Sequence, residues 1–571
     1  MQAVYNIAEI CARHGITDVV LSPGSRSAPL TLAFARHPAF RGRVKVVPDE
    51  RAAAFIGLGI AQATGRPVVL VCTSGTAGLN YAPAVAEAFF QQIPLLILTA
   101  DRPPEWIDQL DGQTIRQHNL YGVHAKGSFD FPADTTHPDA KWHSERIINE
   151  AINLSKAPPF GPVHINVPLR EPFYPKAGEK IIFDPNIKII EQTFHSHYFY
   201  DTPLYFDLEK FERVLFVIGQ PPYGGPNYVQ DAIPQEAIEM SETGSVATVA
   251  DAIGQAPGAL GHHDVFLSQP RSELAPDLLV TCGQAILSKA LKMQLRKFPP
   301  KEHWHIMPEG AAAAPDLYKA LTRVKRGEPF LLYAALLHHY EQVKPSETAR
   351  KFAQSWQRME AQSVAFLADF FAQPHSFNEF SAFHQTLNSL TKNTALHLAN
   401  SMAVRYANIL GIPAGKQIEV FANRGTSGID GCTSTAVGAA LAQPERPVVL
   451  LTGDVAFFYD RNAFWHNYPT PNLRVVLFNN HGGGIFRLID GPRQQPELDE
   501  FFETRQTLTA ENTARDFNLA YFPVSSFAEL ATALPIFFAK ETGAAILEIF
   551  TDSKTNAAFF EEYRAAVKTA F

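Results

Sequence analysis

The chain has 571 residues, 46% hydrophobic and 19% charged, with a net charge of −8. Such a length exceeds one core and points to three or four domains of a globular protein. The acidic balance excludes a nucleic acid as the main partner. No apolar run approaches the ~20 residues of a membrane span, and no signal-peptide pattern opens the chain, so a cytoplasmic protein is expected.

The four cysteines, Cys11, Cys72, Cys282 and Cys432, show no Cys-x-x-Cys spacing and read as reduced thiols. Cys72 sits in a strand pattern, where a thiol acts as a small buried hydrophobe. The pairs His303-x-His305 and His262-His263 lack metal-ligand spacing and read as incidental.

Residues 1–180 alternate helix and strand. An amphipathic helix over 4–14 precedes a strand over 18–21 and a turn over 22–27. A helix over 29–36 follows, with Ser27 expected as its cap. The next strand is 44–47, and Asp49 and Glu50 then head a helix over 52–63. Acids at a helix N-terminus are favoured by its dipole without further meaning. Strands over 68–72, 95–99 and 163–167 complete the segment, and the proline-rich tract 168–185 reads as a linker. Residues 190–345 begin again, with strands over 213–218, 277–281 and 303–307. They carry no intact Gly-x-Gly-x-x-Gly, so no dinucleotide is assigned there. A charged helix over 347–371, capped by Ser346, is expected as a connector to a third segment, 376–571, which ends in a helix over 557–568.

The third segment holds the most informative stretch, 446–486. The apolar run 448–451 ends in Thr452-Gly453-Asp454, and the run 475–478 ends in Asn479-Asn480-His481 and three glycines. Ligands of open α/β sheets bind beyond the carboxyl ends of strands. Asp454, the Asn480 amide oxygen and a glycine-loop carbonyl are hard oxygen donors suited to Mg²⁺ shared with a diphosphate. A βαβ unit with a glycine turn would give a similar pattern without a ligand. The string RPVVL occurs twice, at 66–70 and 446–450, each time after a small-residue helical stretch and before a Thr/Ser/Gly turn. One α/β module used twice would explain this.

Glu50 in the first module and the Gly-Asp…Asn-Asn pattern in the last resemble the thiamine-diphosphate enzymes of the pyruvate-oxidase type. More narrowly, LSPGSRSAPL (21–30), TSGTAGLNYAPAVAEA (73–88), LTADRPPE (98–105), NSMAVR (400–405) and NRGTSGIDG (423–431) resemble the 2-succinyl-5-enolpyruvyl-6-hydroxy-3-cyclohexene-1-carboxylate synthase family of menaquinone biosynthesis. The resemblance spans nearly the whole chain and is weakest in the middle segment. It implies three doubly wound parallel-sheet α/β domains: pyrimidine-binding (1–180), central Rossmann-like (190–345), and diphosphate- and metal-binding (376–571).

The resemblance also implies the chemistry. Thiamine diphosphate acts as electron sink for decarboxylation of 2-oxoglutarate, and the succinyl carbanion adds to isochorismate. Glu50 matches the glutamate that hydrogen-bonds the aminopyrimidine, and Gln113 a polar residue near the cofactor. Ser74, Gly75 and Gly453 match cofactor-contacting positions, with Ile429 and Phe486 as apolar walls. Asp454, Asn480 and the Gly482 carbonyl match ligands of Mg²⁺ or Mn²⁺. Arg26, Arg102, Lys289, Ser401, Arg405 and Arg424 match substrate-contacting positions, and arginines suit substrates rich in carboxylates. A homodimer or homotetramer is implied, with Glu50 and Asp454 meeting across a subunit interface. Departures from the family pattern are Val455 and Ala456 after Gly-Asp, Gly112 before Gln113, and Ser288 where a second basic residue can precede Lys289. An acetolactate synthase, a 2-oxo acid decarboxylase and a cofactor-binding scaffold without activity are the competing readings.

Overall fold

Short β-branched runs that can be buried on both faces build every central strand. The computed structural model describes residues 1–176, 178–192, 210–221, 246–256, 258–308, 310, 313–327 and 345–571. They fall into two compact units, one of Met1–Phe194, Asn423–Glu445 and Phe458–Leu473, the other of His195–Ala422, Arg446–Phe457 and Arg474–Phe571.

The first unit contains a six-stranded sheet of β1 (Asp18–Leu21), β2 (Val44–Val46), β3 (Val68–Cys72), β4 (Leu95–Asp101), β5 (Ser128–Asp130) and β6 (Val163–Pro168). The order is β2-β1-β3-β4-β6-β5, with every neighbouring pair parallel. β3 and β4 are buried along their whole length, as parallel strands covered on both faces must be. The helices Gln2–Arg13 and Pro138–Lys156 place Ile7, Ile10, Ile148 and Ile152 on one such face.

Two local expectations are corrected here. Ser27 occupies the N-cap position of helix Ala28–Arg36, but its backbone is already helical (φ −77°, ψ −1°). A capping side chain needs an extended residue, so the Ser27 hydroxyl instead donates to the Gly24 carbonyl at 3.0 Å. The tract 168–185 is no free linker, because Ile181 and Phe183 within it, and Ile187 and Ile189 just beyond, pack on the core of this unit. Prolines punctuate that segment, but its apolar residues fasten it down.

Small residues let two helices of this unit touch backbone to backbone. A Cβ on Gly59 of helix Glu50–Thr64 would lie 2.0 Å from the Thr435 carbonyl oxygen, and one on Gly438 of helix Cys432–Ala442 would lie 2.1 Å from that of Ile56. Beside them Asp460, fully buried, accepts hydrogen bonds from the Ser434 amide (2.7 Å) and hydroxyl (2.8 Å). Burial pushes its carboxyl up to about 7. The folded state therefore holds an extra proton from about pH 4, the ordinary aspartate range, to about pH 7. Stability falls as pH rises through that window. Asp460→Asn should flatten this part of the profile, read as melting temperature against pH.

The second unit carries two sheets. The five-stranded one comprises β7 (Val214–Ile218), β8 (Ala247–Ala250), β9 (Leu278–Cys282), β10 (Glu302–Met307) and β11 (Leu321–Arg326), in the order β11-β10-β9-β7-β8. The six-stranded one comprises β12 (Ala395–Leu398), β13 (Glu419–Phe421), β14 (Val448–Gly453), β15 (Leu473–Asn479), β16 (Ala520–Val524) and β17 (Ala545–Phe550), in the order β13-β12-β14-β15-β17-β16. That is the strand order of the first sheet, and the two RPVVL strings form β3 and β14, which hold the same place in it. Three parallel sheets with flanking helices thus match the expected α/β class.

The helix Glu347–Ala372 is capped by Ser346, whose hydroxyl accepts from the Ala349 amide at 3.1 Å. It is more than a connector, because Phe352, Trp356 and Met359 complete the core of the five-stranded sheet. All four cysteines are free and buried, and burial raises the thiols of Cys11 and Cys72 and pushes Cys282 up to about 12. His303 and His305 share the Thr281 hydroxyl at 2.9 and 2.8 Å. Burial holds both down at about 4, hence neutral at pH 7. No cluster of three or more metal-binding His, Cys, Asp or Glu side chains occurs among the described residues. Nor is any described helix long and apolar enough to cross a membrane.

Candidate active site

Both six-stranded sheets reverse their strand order beside their first strand, between β1 and β3 and between β12 and β14. Such a reversal opens a crevice at the carboxyl edge. The candidate residues other than Lys289 lie at strand ends or in the connections of these two sheets.

In the first unit, β1 leads into the turn bearing Arg26, β3 into Thr73-Ser74-Gly75, and β4 into Arg102. Gly24 lies so close to Thr73 that a Cβ there would meet the threonine Cβ at 2.3 Å. Arg102, 9% exposed, donates to the Ser74 hydroxyl at 2.8 Å and the Gln113 carbonyl at 2.9 Å, and pairs with Asp111. Gly75 has φ +85°, and a Cβ there would sit 3.2 Å from the Gln113 carbonyl oxygen, so glycine lets the two loops approach. Its amide donates to the Gln117 side chain at 2.8 Å. Arg26 donates to the Leu169 carbonyl at 3.0 Å and lies 4.9 Å from the Phe173 ring centroid. Burial, then the neighbouring charge of Arg102, lowers the pKa of Arg26. Arg26, Ser74, Gly75, Arg102 and Gln113 thus form one cluster holding two cations.

Glu50 is the first residue of its helix, and both neighbours are anchored. Asp49 caps the helix through the Ala52 amide (3.1 Å) and accepts from the Asn462 side chain (2.8 Å). Arg51 donates to the Tyr459 carbonyl at 2.8 Å and stacks on its ring at 4.6 Å. The half-buried Glu50 carboxylate is therefore held at a fixed helix end.

Arg424 and Ile429 belong to the loop 423–431. Glu87, 1% exposed, clamps that loop by accepting from the Gly425 amide (2.8 Å), the Thr426 amide (2.6 Å) and the Thr426 hydroxyl (2.5 Å). Glu87→Ala would strand those donors, and amide exchange at Gly425 and Thr426 should accelerate by about 100-fold or more, the cost of two unpaired groups. Exchange mass spectrometry reads this directly.

In the second unit, Gly453 ends β14 and Asp454 begins the following helix. Asp454 is 2% exposed and accepts from the Gln506 side chain and the Val455 amide, both at 2.8 Å. Burial outweighs these bonds and raises its carboxyl to about 6. Asn480 donates its amide nitrogen to Glu379 at 2.7 Å, while its buried amide oxygen has no hydrogen-bond partner. Glu379 is itself pushed to about 7, by burial and by the charge of Asp454. Gly482 tucks against Glu503, whose carbonyl oxygen would lie 2.7 Å from a Cβ. Buried carboxylates and an orphaned amide oxygen call for a cation, and these hard donors fit a divalent one. Phe486 follows on the same glycine loop, tilted against Phe502 with ring centroids 5.9 Å apart.

Ser401 (φ +73°) precedes helix Met402–Leu410, which carries Arg405, and Arg405 donates back to the Ser401 carbonyl. Lys289 is exposed at the first position of helix Lys289–Lys297. At the carboxyl edge of the five-stranded sheet, the loops after β7 and β9 zip together. Gly219 donates to the Cys282 carbonyl at 2.9 Å and Gln284 to the Gln220 carbonyl at 2.8 Å.

The thiamine pyrophosphate enzyme N-terminal TPP binding domain matches residues 1–122, and the C-terminal TPP binding domain matches 412–549. A 2-succinyl-5-enolpyruvyl-6-hydroxy-3-cyclohexene-1-carboxylate synthase from Cytophaga hutchinsonii is 45% identical over 100% of both chains. Namesakes from Flavobacterium johnsoniae (37%, covering 98% of this chain and 97% of theirs) and Bacteroides fragilis (34%, covering 99% of each) are also similar. The chain belongs to this synthase family. It is thus a thiamine-pyrophosphate-dependent transferase, as the sequence strings imply.

Around the synthase residues, Glu87, Glu379 and Gln506 carry no sequence prediction. Glu87 left a readable signal, a lone carboxylate in the apolar helical run AVAEAFF. Gln506 left none, since its partners Asn479 and Asp454 lie 27 and 52 residues away in the chain.

Proposed function

We propose that this synthase-family chain converts 2-oxoglutarate and isochorismate into 2-succinyl-5-enolpyruvyl-6-hydroxy-3-cyclohexene-1-carboxylate and CO₂, a step of menaquinone biosynthesis. The observation that carries the reading is Arg102, held by the Ser74 hydroxyl and the Gln113 carbonyl at a strand-order reversal, with Arg26 near enough to feel its charge. Two adjacent guanidinium groups suit substrates with several carboxylates better than a monocarboxylate such as pyruvate.

Bound thiamine diphosphate supplies the electron sink for decarboxylation. Glu50 holds and exchanges a proton at the aminopyrimidine ring, and its anchored helix end keeps it in place. Asp454, the Asn480 amide oxygen and the Gly482 carbonyl would hold Mg²⁺ or Mn²⁺ for the diphosphate, and Glu379, by taking the Asn480 amide nitrogen, leaves the amide oxygen available as a ligand. Gly453, Ile429 and Phe486 contact the cofactor. Arg26, Arg102, Arg405, Arg424, Ser401 and Lys289 bind the carboxylates and hydroxyls of the two substrates. The working form is a homodimer or homotetramer with active sites at the subunit interface.

The test is a reconstituted assay with purified protein, thiamine diphosphate, Mg²⁺, 2-oxoglutarate and isochorismate, following isochorismate absorbance and product mass. Consumption that requires every component supports the reading. Acetolactate, a simple aldehyde, or decarboxylation that leaves isochorismate untouched would overturn the acceptor assignment.

A further inference from the structure

Lys289 and the Ser401–Arg405 turn lie on different sheets' connections, yet a chain of buried polar groups joins them. Asp251, just past β8, is 3% exposed. It accepts from the amides of Leu287 and Ser288 and bonds the His263 ring at 3.0 Å. Ser288 is fully buried. Its hydroxyl caps the Lys289 helix through the Leu291 amide (3.0 Å) and donates to Asp264. The other Asp264 oxygen accepts from the Asn408 side chain at 2.8 Å, and Asn408 in turn accepts from the Ala252 amide at 2.9 Å. Asn408 lies on helix Met402–Leu410, one turn beyond Arg405. The C-terminal end of that helix is held as well, by His262, which bonds the Leu410 carbonyl at 3.0 Å and Glu360 at 2.6 Å.

Apolar contacts already join these segments, since Val265 and Leu287 share a core with Val404 and Ala407. Burying Asp251 and His263 there adds desolvation cost that apolar side chains would avoid. What directional bonds supply is a single register, where an apolar seam permits sliding. We infer that Asp251, His263, Asp264, Ser288 and Asn408 form a positioning network that fixes Lys289 relative to Arg405, and so sets the affinity for the substrate carboxylates that these two cations bind. This rests on the proposed roles of Lys289 and Arg405. The five residues touch no substrate themselves; they act through the two helices.

The experiment compares Ser288→Ala, Ser288→Thr, Asn408→Ala and the Ser288→Ala/Asn408→Ala double variant, each as cofactor-loaded full chain. Lys289→Ala and Arg405→Ala serve as reference variants. Ser288→Ala and Asn408→Ala should each raise, by about five- to tenfold, the KM that Lys289→Ala and Arg405→Ala raise, the worth of one ordinary hydrogen bond. Thiamine diphosphate affinity should stay within about twofold, since the network acts through Lys289 and Arg405 and not on the cofactor residues. Ser288→Thr keeps the hydroxyl and should restore KM. The double variant should be less than additive, because both bonds meet at Asp264. If the KM values for both substrates hold in Ser288→Ala and Asn408→Ala while either rises in Lys289→Ala and Arg405→Ala, the network has no positioning role. The inference is equally overturned if every kinetic constant shifts together with the melting temperature. If Lys289→Ala and Arg405→Ala also leave KM unchanged, the substrate assignment falls and the inference with it.

Discussion

Replacing Glu50 with glutamine should lower turnover by about 10²- to 10⁴-fold, the usual worth of a positioned general acid–base. Affinity for thiamine diphosphate should stay near that of the native protein. Glutamine has the size of glutamate and can accept a hydrogen bond, but it cannot give up and regain a proton. Glu50 also has no visible structural duty that the change would damage. The helix end is capped by Asp49 and tied down by Arg51 and Asn462. Turnover and calorimetric cofactor affinity measured on one preparation separate the two effects, and unchanged turnover would remove Glu50 from the chemistry. Mixing Glu50→Gln subunits with Asp454→Ala subunits tests the proposed interface. If each site takes Glu50 from one chain and Asp454 from another, half the subunit pairs are mixed and each mixed pair regains one intact site. Turnover of about a quarter of the native value should then return. No recovery would place both residues in one chain's site.

The sequence was legible where one physical constraint acted alone. Doubly buried strands such as VVLVC and LLILTAD read as strands because parallel sheets bury both faces. Edge strands gave no such signal: LTRVKR in β11 alternates with solvent. β17 hides a charge, and Glu548 can lie fully buried there only because Asn479, Ala510 and Tyr521 all donate to it. Those donors come from three separate stretches of chain, so no local pattern announces them. The functional strings LSPGSRSAPL and NRGTSGIDG were legible through their resemblance to the synthase family. What holds those strings in place was not. Glu379 behind Asn480 reads as an ordinary helix residue, and the lone carboxylate of Glu87 beneath the Arg424 loop does not name its partners until the fold sets them against it.

Asp454→Asn and Asp454→Ala should each abolish the Mg²⁺-dependent part of thiamine diphosphate binding, a loss of at least about 100-fold in affinity. Removing even an outer-shell partner of a metal site costs about 10- to 100-fold, and a direct carboxylate ligand should cost more. The ligand-free protein should respond the other way. Burial raises the Asp454 carboxyl to about 6, against about 3.9 in an unfolded chain. Between those values the folded state binds the extra proton, so the native protein loses stability as pH rises from about 4 to about 6. The asparagine variant keeps an acceptor for Gln506 and sheds the charge that also disfavours Glu379. Without ligands it should melt no lower than the native protein at pH 8, and the difference should shrink toward pH 4. Calorimetry with and without Mg²⁺, beside melting curves at the two pH values, distinguishes a lost metal ligand from a damaged fold. Undiminished cofactor binding in both variants would refute the metal assignment. Loss of binding together with a lower melting temperature at pH 8 would mean that Asp454 holds the β14 turn together, not an ion. A buried carboxylate that costs stability when empty is what a metal ligand should look like, because the cation offsets that cost only on binding.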